Sequence, residues 1–179
     1  MIILLGASAS GKTEVAKELV KNYNFKKVVT YTTRNLRVGE VDGRDYHFIS
    51  VESFKNKIDE GFFFEYVNYN GNFYGTAKSD LTIDSVVILE PNGLKAYRES
   101  TIPNIVSFYL KSDEEHRINW MRKRGDSEEK ISSRIINDRI SFNESNIKGI
   151  NYVLNSNDLS IEELTKEVND IYKKRIEMK

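Results

Sequence analysis

The sequence predicts an α/β protein in which a parallel β-sheet is covered on both faces by helices. The apolar runs at residues 1–5, 85–89 and 105–110 are short and continuous, which is typical of buried parallel strands. Helical or mixed segments separate these runs, and only the stretch around Asn70 has the pattern of a hairpin. Both observations favour a three-layer arrangement, with helices above and below one parallel sheet.

The composition is ordinary for a globular protein and excludes several classes of function. The 179 residues are 39% hydrophobic and 30% charged, which fits one domain or one domain with inserted lobes. Lys and Arg number 27 and Asp and Glu number 27, so no overall charge attracts nucleic acid or a membrane. There is no cysteine for a disulfide or thiolate site, and no apolar stretch of transmembrane length. The first apolar run is too short for a signal peptide, so we expect a cytoplasmic protein.

The chain is organised around residues 6–13, GASASGKT, which lie between the first apolar run and a helical pattern. The form G-x-x-x-x-G-K-S/T in this setting is typical of a phosphate-binding loop rather than a simple small-residue turn. Lys12 supplies a charge for the outer phosphates, and the Thr13 hydroxyl can ligate the Mg²⁺ that accompanies a nucleoside triphosphate. The backbone N–H groups at the start of the following helix bind phosphate oxygens. The predicted ATP-binding residues here are Gly6, Ala7, Ser8, Ala9, Ser10, Gly11, Lys12 and Thr13.

The first half of the chain contains several predicted secondary structure elements with clear sequence patterns. Residues 27–31 are predicted to form a second strand, and Ser50 to Glu60 a helix that stops at Gly61. Residues 62–76 alternate aromatic side chains around Asn70-Gly71, which indicates a hairpin. The first helix is expected to present one face made of Val15, Ala16, Leu19, Val20 and Tyr23.

The second half contains predicted helices with sequence signals at their N-termini. Pro91 to Ser100 is predicted to be a helix with Pro91 near its start. Three Ser/Asp–Glu pairs have the spacing of a capping box and each predict a helix start: Ser112 with Glu115, Asp126 with Glu129, and Ser160 with Glu163. Residues 152–154 are a fifth short strand, and the last helix is expected to bury Ile161, Leu164, Val168 and Ile171.

Residues 32–46 have no helical or strand period, and they contain Arg34, Arg37 and Arg44 among glycines and hydroxyls. A solvated loop is one interpretation. A guanidinium group suits a bidentate grip on phosphate, however, and the chain already has one phosphate-binding loop. We therefore favour a second phosphate site here.

Two carboxylates and one charged region leave alternatives open. Glu65 lies in an apolar strand and faces either solvent or a ligand, and periodicity alone does not decide between them. Glu90 ends a buried strand, where it either contacts a metal or substrate or is a simple strand-end charge. Residues 112–139 are dense in both charges, so they form either a solvated face with ion pairs or a lid whose arginines cover a triphosphate. His47 and His116 have no metal-ligand spacing.

Taken together, these segments resemble the guanylate kinase family. TYTTRNLRVGEVDGRDYHF is similar to the family's GMP-phosphate segment, and FFEYVNYNGNFYGT to its base-binding hairpin. RKRGDSEEKISSR resembles its lid, and VLNSND resembles the segment near its adenine site. The resemblance implies a three-layer P-loop nucleoside monophosphate kinase with a core at 1–29, 84–111 and 146–179. It also implies an inserted mixed α/β GMP-binding lobe at 30–83 and a helical lid at 112–145.

The resemblance also implies the reaction and the residues that perform it. The reaction is the Mg²⁺-dependent transfer of a phosphoryl group from ATP to GMP, and to dGMP, by a monomer or homodimer. Asn155 joins the ATP side. The implied GMP-binding residues are Thr30, Arg34, Arg37, Tyr46, Glu65, Tyr74, Thr76 and Glu90, with Glu65 and Thr76 on the guanine. The implied catalytic residues are Lys12, Arg34, Arg124 and Arg134.

Three residues depart from the family pattern. Thr30 stands where serine is usual, Glu90 where aspartate is usual, and Trp120 where a further lid arginine is expected. The role of that arginine is then lost, or it passes to Arg122 or Arg117.

Two rival functions are a kinase of ribose bisphosphate and a non-catalytic interaction module. The Glu65 and GNFYGT pair argues against the first, because a sugar has no base to bind, and the intact Lys12 and Thr13 argue against the second.

Overall fold

The computed structural model describes residues 1–69 and 71–178. The strands are β1 Ile2–Leu5, β2 Lys26–Lys27, β3 Tyr31–Thr32, β4 His47–Phe48, β5 Phe63–Tyr69, β6 Asn72–Ala77, β7 Ser85–Ile88, β8 Val106–Lys111 and β9 Tyr152–Asn155. The helices are α1 Lys12–Tyr23, α2 Val51–Asp59, α3 Leu94–Arg98, α4 Glu114–Lys123, α5 Glu128–Ser141 and α6 Ile161–Glu177. Among these residues, no helix is long and apolar enough to cross a membrane.

The larger sheet has the order β2-β7-β1-β8-β9, and all of its pairings are parallel. Strand β1 lies in the middle and its side chains are fully buried. Because successive side chains of a strand point to opposite faces of the sheet, they alternate between two apolar clusters. Leu4 packs on one face with Leu19 of α1 and Leu164 of α6, while Ile3 packs on the other with Leu94 of α3. The predicted parallel sheet with helices on both faces is therefore confirmed.

The smaller sheet has the order β4-β3-β6-β5 and is mixed in direction. The antiparallel β5–β6 hairpin is confirmed, although Asn70 of its predicted turn lies outside the described residues. Helix α2 packs on this sheet through Phe54, whose ring stacks 4.4 Å from that of Phe63. A Cβ atom at Gly75 would lie 2.9 Å from the Phe54 ring, so the helix approaches closely because this position has no side chain.

The single strand predicted at residues 27–31 is wrong, because the chain passes from one sheet to the other within it. The Val28 N–H still donates to Val86 of β7 in the larger sheet. The Thr30 carbonyl already accepts from His47 of β4 in the smaller sheet. The sequence KKVVTY has strand character throughout, but only tertiary pairing determines which sheet each half joins.

Two of the three predicted helix caps are corrected and the third is confirmed. The Ser112 hydroxyl does not cap α4 but donates to Asn157 Oδ1 at 3.0 Å, and the N-cap is Asp113. Helix α5 is capped by Ser127 rather than by Asp126. The Asp126 carboxylate instead forms ion pairs with Arg124 and Arg134. Ser160 and Glu163 form both bonds of a capping box at α6.

Three further predictions agree with the structure only in part. Val20 lies at the edge of the apolar face of α1 and is 40% exposed, whereas Val15 on the same face is fully buried. The segment after Pro91 begins with a 3-10 turn, so helix α3 is shorter than predicted. In the apolar stripe of α6, Ile161 and Ile171 are only partly buried.

Candidate active site

The loop between β1 and α1 is tightly wound. A Cβ atom at Gly6 would lie 2.3 Å from Ser10 Oγ and 2.8 Å from the Leu110 carbonyl oxygen, so only glycine fits there. Gly11, with φ of 92°, is the N-cap of α1 and provides no side-chain cap. The N–H groups of the first helical turn therefore remain available to an anion at the positive end of the helix.

Lys12 lies across this loop. Its ammonium donates to the Gly6 and Ala7 carbonyl oxygens, the second at 2.9 Å. Burial lowers the pKa of Lys12, the carboxylates of Glu90 and Asp138 raise it, and the cations Arg117 and Arg124 lower it again. The predicted lid residue Arg124 is thus electrostatically coupled to the loop lysine.

Asp138 of α5 is a buried residue beside the phosphate-binding loop that sequence reasoning missed. It is 2% exposed and accepts four hydrogen bonds. These come from Arg117 Nη1 of α4 at 2.7 Å, the Ser8 N–H at 2.9 Å, the Ser8 hydroxyl at 3.3 Å and the Tyr69 hydroxyl of β5 at 3.1 Å. One carboxylate therefore joins the phosphate-binding loop to two helices of the predicted lid and to the smaller sheet. We call this cluster the Asp138 junction.

A signal for Asp138 was present in the sequence. It follows Ile131 and Ile135 at the i, i+4, i+7 spacing of a buried stripe, and both isoleucines are buried. A carboxylate at a core position of a helix needs a partner.

Arg34 and Arg37 lie together in the loop before β4. Arg34 makes a bidentate pair with Glu40, at 2.9 and 2.8 Å, and its guanidinium lies 5.1 Å from the Tyr46 ring centroid. Among the described residues, no carboxylate lies within salt-bridge distance of Arg37. Burial and the nearby charges of Arg34 and Arg134 lower the pKa of Arg37, although a guanidinium stays protonated. Arg34 pairs with Glu40 and Arg134 pairs with Asp126, so among the described residues the charge of Arg37 is the one left to favour an anionic ligand.

Other predicted residues surround this basic cluster, which consists of Arg34, Arg37 and Arg134. The Tyr46 and Tyr74 rings are 6.1 Å apart. Burial raises the pKa of Tyr46 to about 12, so its hydroxyl stays a hydrogen-bond donor. Thr30 is buried at the crossing between the two sheets. The Arg44 guanidinium is exposed, pairs with Asp45 at 2.7 Å and donates to the Gly39 carbonyl oxygen at 3.0 Å.

Glu65 faces the interior, so of the two alternatives that the sequence left open the solvated face is excluded. It is 8% exposed, and its Oε1 accepts from the Thr76 hydroxyl at 2.6 Å. Gly93 leaves room for its second oxygen, since a Cβ atom there would lie 2.9 Å from Glu65 Oε2. Burial raises the pKa of Glu65 to about 7, although the Thr76 hydrogen bond acts in the opposite direction. The structure thus brings Glu65 and Thr76 together, and their predicted contacts with guanine stay predictions.

Glu90 follows β7, beside the strand that carries the phosphate-binding loop. Its Oε2 is buried and has no hydrogen-bond partner among the described residues. Burial raises the pKa of Glu90 to about 7, against the opposing effect of the Lys12 charge. The Glu90 carboxylate and the Thr13 hydroxyl are both oxygen donors of the kind that Mg²⁺ prefers, so the chemistry of these residues fits a magnesium ion. Within the described chain, no group of three or more His, Cys, Asp or Glu could hold a metal, so phosphate and water would supply the other ligands.

The charged helices carry ion pairs, as one of the two alternatives expected, whereas a lid whose arginines cover a triphosphate stays a prediction. Arg122–Glu128 and Arg139–Glu114 are exposed ion pairs on a solvated face. Arg124 and Arg134, in contrast, converge on Asp126. This pairing explains why Asp126 does not cap α5.

A cavity of about 570 Å³ lies over the loop. Its walls are loop residues 9–13, the side of α4 at Trp120 and Arg124, and the turn after β9 at Ser156 and Asn157. Asn155 is not part of the wall, because its side chain bonds to Asp158 and to the Asn157 N–H. Its predicted role toward ATP stays a prediction.

The chain has a three-layer parallel α/β fold, a phosphate-binding loop and, separate from this loop, the basic cluster. These features define the class of P-loop phosphotransferases. A sequence model of one family in this class, described as guanylate kinase, matches residues 1–175. The chain belongs to the guanylate kinase family.

Individual relatives agree with this assignment. A guanylate kinase of Clostridium tetani is 37% identical over 160 residues, which are 86% of this chain and 73% of the relative. One from Prochlorococcus marinus subsp. pastoris is 34% identical over 180 residues, covering 97% of this chain and 96% of the relative.

Solved structures are similar in fold. The crystal structure of guanylate kinase from Anaplasma phagocytophilum has a TM-score of 0.71 at 24% identity and covers 98% of this chain and 85% of its own. A gluconokinase from Sinorhizobium meliloti has a TM-score of 0.55 at 14% identity and covers 98% of this chain and 93% of its own. At these identities the likeness is one of fold alone.

The raised pKa of Glu65 predicts a specific pH dependence of stability. The native state holds a proton on Glu65 up to a pH of about 7, whereas the unfolded chain releases it near the ordinary pKa of 4.5. The contribution of Glu65 to stability is therefore full below this window and is lost as the pH rises through it. Glu65→Gln cannot titrate. The unfolding free energy of Glu65→Gln relative to wild type should rise by on the order of 3 kcal/mol between about pH 4.5 and pH 7.5. Urea titrations of both proteins across this range measure it, and a constant difference would contradict the buried position.

The Asp138 junction predicts a strong effect on folding. Asp138→Ala leaves the buried Arg117 without its partner, so it should lower the unfolding free energy by about 3–5 kcal/mol. Arg139→Ala is the matched control, because it breaks an exposed pair between the same two helices and should cost about 1 kcal/mol or less. Urea unfolding of the two variants measures both. Equal, small effects would show that the junction contributes no more than a surface ion pair.

Proposed function

We propose that this chain transfers the γ-phosphoryl group of ATP to GMP, and also to dGMP, giving ADP and the nucleoside diphosphate. The observation that carries the proposal is the buried Glu65–Thr76 pair in the smaller sheet, whose strands β3 and β4 are joined by the loop that carries Arg34 and Arg37. A phosphate site with an adjacent carboxylate suits a nucleotide whose base presents hydrogen-bond donors. Membership of the guanylate kinase family supports this acceptor.

On the donor side, we propose that the triphosphate binds the loop at residues 6–13. The first-turn N–H groups of α1 and the Lys12 ammonium would contact its phosphate oxygens. Thr13 and Glu90 would hold the Mg²⁺ that accompanies ATP, and this ion would offset charge on the outer phosphates.

On the acceptor side, the GMP phosphate would bind within the basic cluster. Arg37 is the primary anchor in this proposal, because its guanidinium has no carboxylate partner in the described structure. Arg34 shares its charge with Glu40, so a bound phosphate competes with that carboxylate. The hydroxyls of Tyr46, Tyr74 and Thr30 are proposed to complete the site.

Glu65 would select guanine through hydrogen bonds. Guanine presents N1–H and an exocyclic amino group as adjacent donors, and one carboxylate accepts from both. Adenine offers its amino group as a donor but has an acceptor at N1, which would oppose one oxygen of the buried carboxylate at a cost of several kcal/mol. Donors on the ligand also favour the ionised form, against the burial that raises the pKa of Glu65.

The chemistry requires no general base, because the GMP phosphate oxygen is already a nucleophile. It attacks the γ-phosphorus in line, a new P–O bond forms, and the bond to the β-phosphate oxygen breaks as ADP leaves. Lys12, Arg34, Arg124 and Arg134 are proposed to neutralise the charge on the transferred group, and closure over the site excludes water. A cytoplasmic location and a monomeric or homodimeric state stay predictions.

The test is a coupled assay of ADP release with GMP, dGMP, AMP, CMP and UMP as acceptors. The proposal expects turnover with GMP and dGMP and little with the others. Thermal stabilisation by ATP and, separately, by GMP tests the two sites without turnover. Failure of GMP to bind or react would reject the proposal.

Lys12→Ala should lower kcat by roughly a thousandfold or more, because it removes charge stabilisation from the transferred phosphoryl group. Lys17→Ala is the control, since Lys17 lies on the same helix but pairs with Glu14 in solvent, and it should keep wild-type activity. Steady-state kinetics with circular dichroism of both variants measure the effect. Near-normal turnover by folded Lys12→Ala would refute the assignment of the loop.

Glu65→Gln should lower kcat/KM for GMP by about a hundredfold or more, while activity on AMP stays low or rises slightly. Gln keeps the shape but places a donor against guanine's own donors. Glu52→Gln, on the exposed side of α2, is the control for loss of one charge in the same part of the chain. The measurement is kcat/KM for GMP and AMP in all three proteins. An unchanged ratio would mean that Glu65 does not contact the base.

A further inference from the structure

Trp120 is the only tryptophan of the chain and stands on the exposed side of helix α4. It is 52% exposed, and the exposed part faces the cavity over the phosphate-binding loop. A large aromatic ring on the wall of a concave site is a usual feature of ligand recognition. At this position the family resemblance predicts an arginine instead, so the wall differs in chemistry from the expected one.

The ring is held in place before any ligand arrives. Its Nε1–H donates to His116 Nε2, one helical turn away, at 2.8 Å. The Lys123 ammonium lies 5.3 Å from the ring centroid, within the range of a cation–π contact. Two contacts thus limit the rotation of a side chain that belongs to none of the apolar clusters of residues 1–69 and 71–178. A preorganised wall binds a ligand with less loss of entropy.

The polar groups across the cavity are already used by the protein. Asn157 Oδ1 accepts from the Ser112 hydroxyl and from the Asp113 N–H, both at 3.0 Å. Asn157 carries the one side-chain amide oxygen that the described residues of the turn after β9 place on the cavity wall. Because this oxygen already accepts two hydrogen bonds, the aromatic face of Trp120 is the stronger contact available to a base.

We infer that Trp120 stacks on the base of the donor nucleotide and that the donor is recognised by the face of its base rather than by its edge. The inference rests on the proposed function, which puts the triphosphate on the loop at residues 6–13. Stacking tolerates different bases because each has a π-face. ATP and GTP should therefore serve as donors with kcat/KM values within about tenfold of each other, and pyrimidine triphosphates should be weaker.

The first test uses Trp120 as its own probe, because its fluorescence is the only tryptophan signal. Titration with MgATP or MgGTP should quench and shift this emission. Inorganic tripolyphosphate with Mg²⁺ should occupy the loop and compete with MgATP but leave the emission nearly unchanged. Equal quenching by tripolyphosphate would overturn the inference, because it would report occupation of the loop and not contact with a base.

The second test compares two substitutions at this exposed position. Trp120→Leu should raise the Kd of MgATP, measured by calorimetry, by about ten- to a hundredfold, whereas Trp120→Phe should stay within a few-fold of wild type. The affinity for tripolyphosphate and the KM for GMP should not change in either variant. An unchanged Kd of MgATP in Trp120→Leu would overturn the stacking while leaving the proposed function intact. Failure of wild type to bind both MgATP and tripolyphosphate would overturn the proposed function and the stacking together.

Discussion

The arrangement of the site depends on the ion pair and hydrogen bonds that the Asp138 carboxylate accepts. A buried carboxylate is stable only when hydrogen-bond donors or cations surround it, and here those partners come from separate parts of the chain. Hydrogen bonds thereby connect the phosphate-binding loop to α4, α5 and β5. The residues proposed to bind the donor and the acceptor are linked through a residue that is not proposed to touch either.

Burial also shifts the pKa values of the charged groups in the site and disfavours their charged forms. Glu65 and Glu90 each have a pKa raised to about 7, while the pKa values of Lys12 and Arg37 are lowered. Each shift means that the charged form is less stable in the folded protein than in water. Such groups lower the stability of the ligand-free fold, and a ligand of opposite charge or with complementary donors offsets this cost. Clustering of perturbed groups in one region is characteristic of functional sites.

The sequence predicted features that depend on local patterns and missed those that depend on tertiary partners. The loop of β1 and α1, the β5–β6 hairpin and the capping box at Ser160 follow from residues close together in the chain, and each is present. The cap at Asp126 was wrong because Arg124 and Arg134 compete for the same carboxylate. Arg117 and Asp138 are 21 residues apart on different helices, so no local pattern could have paired them.

The crossing between the two sheets has a mechanical consequence. On one side only Val29 separates the last main-chain bond to the larger sheet, at Val28, from the first bond within the smaller sheet, at Thr30. On the other side the chain returns from β6 to β7 through residues 78–84. A body attached at two points turns most easily about the line that joins them. Movement of the smaller sheet relative to the larger one should therefore be mainly a hinge rotation about the single axis that passes through these two connections.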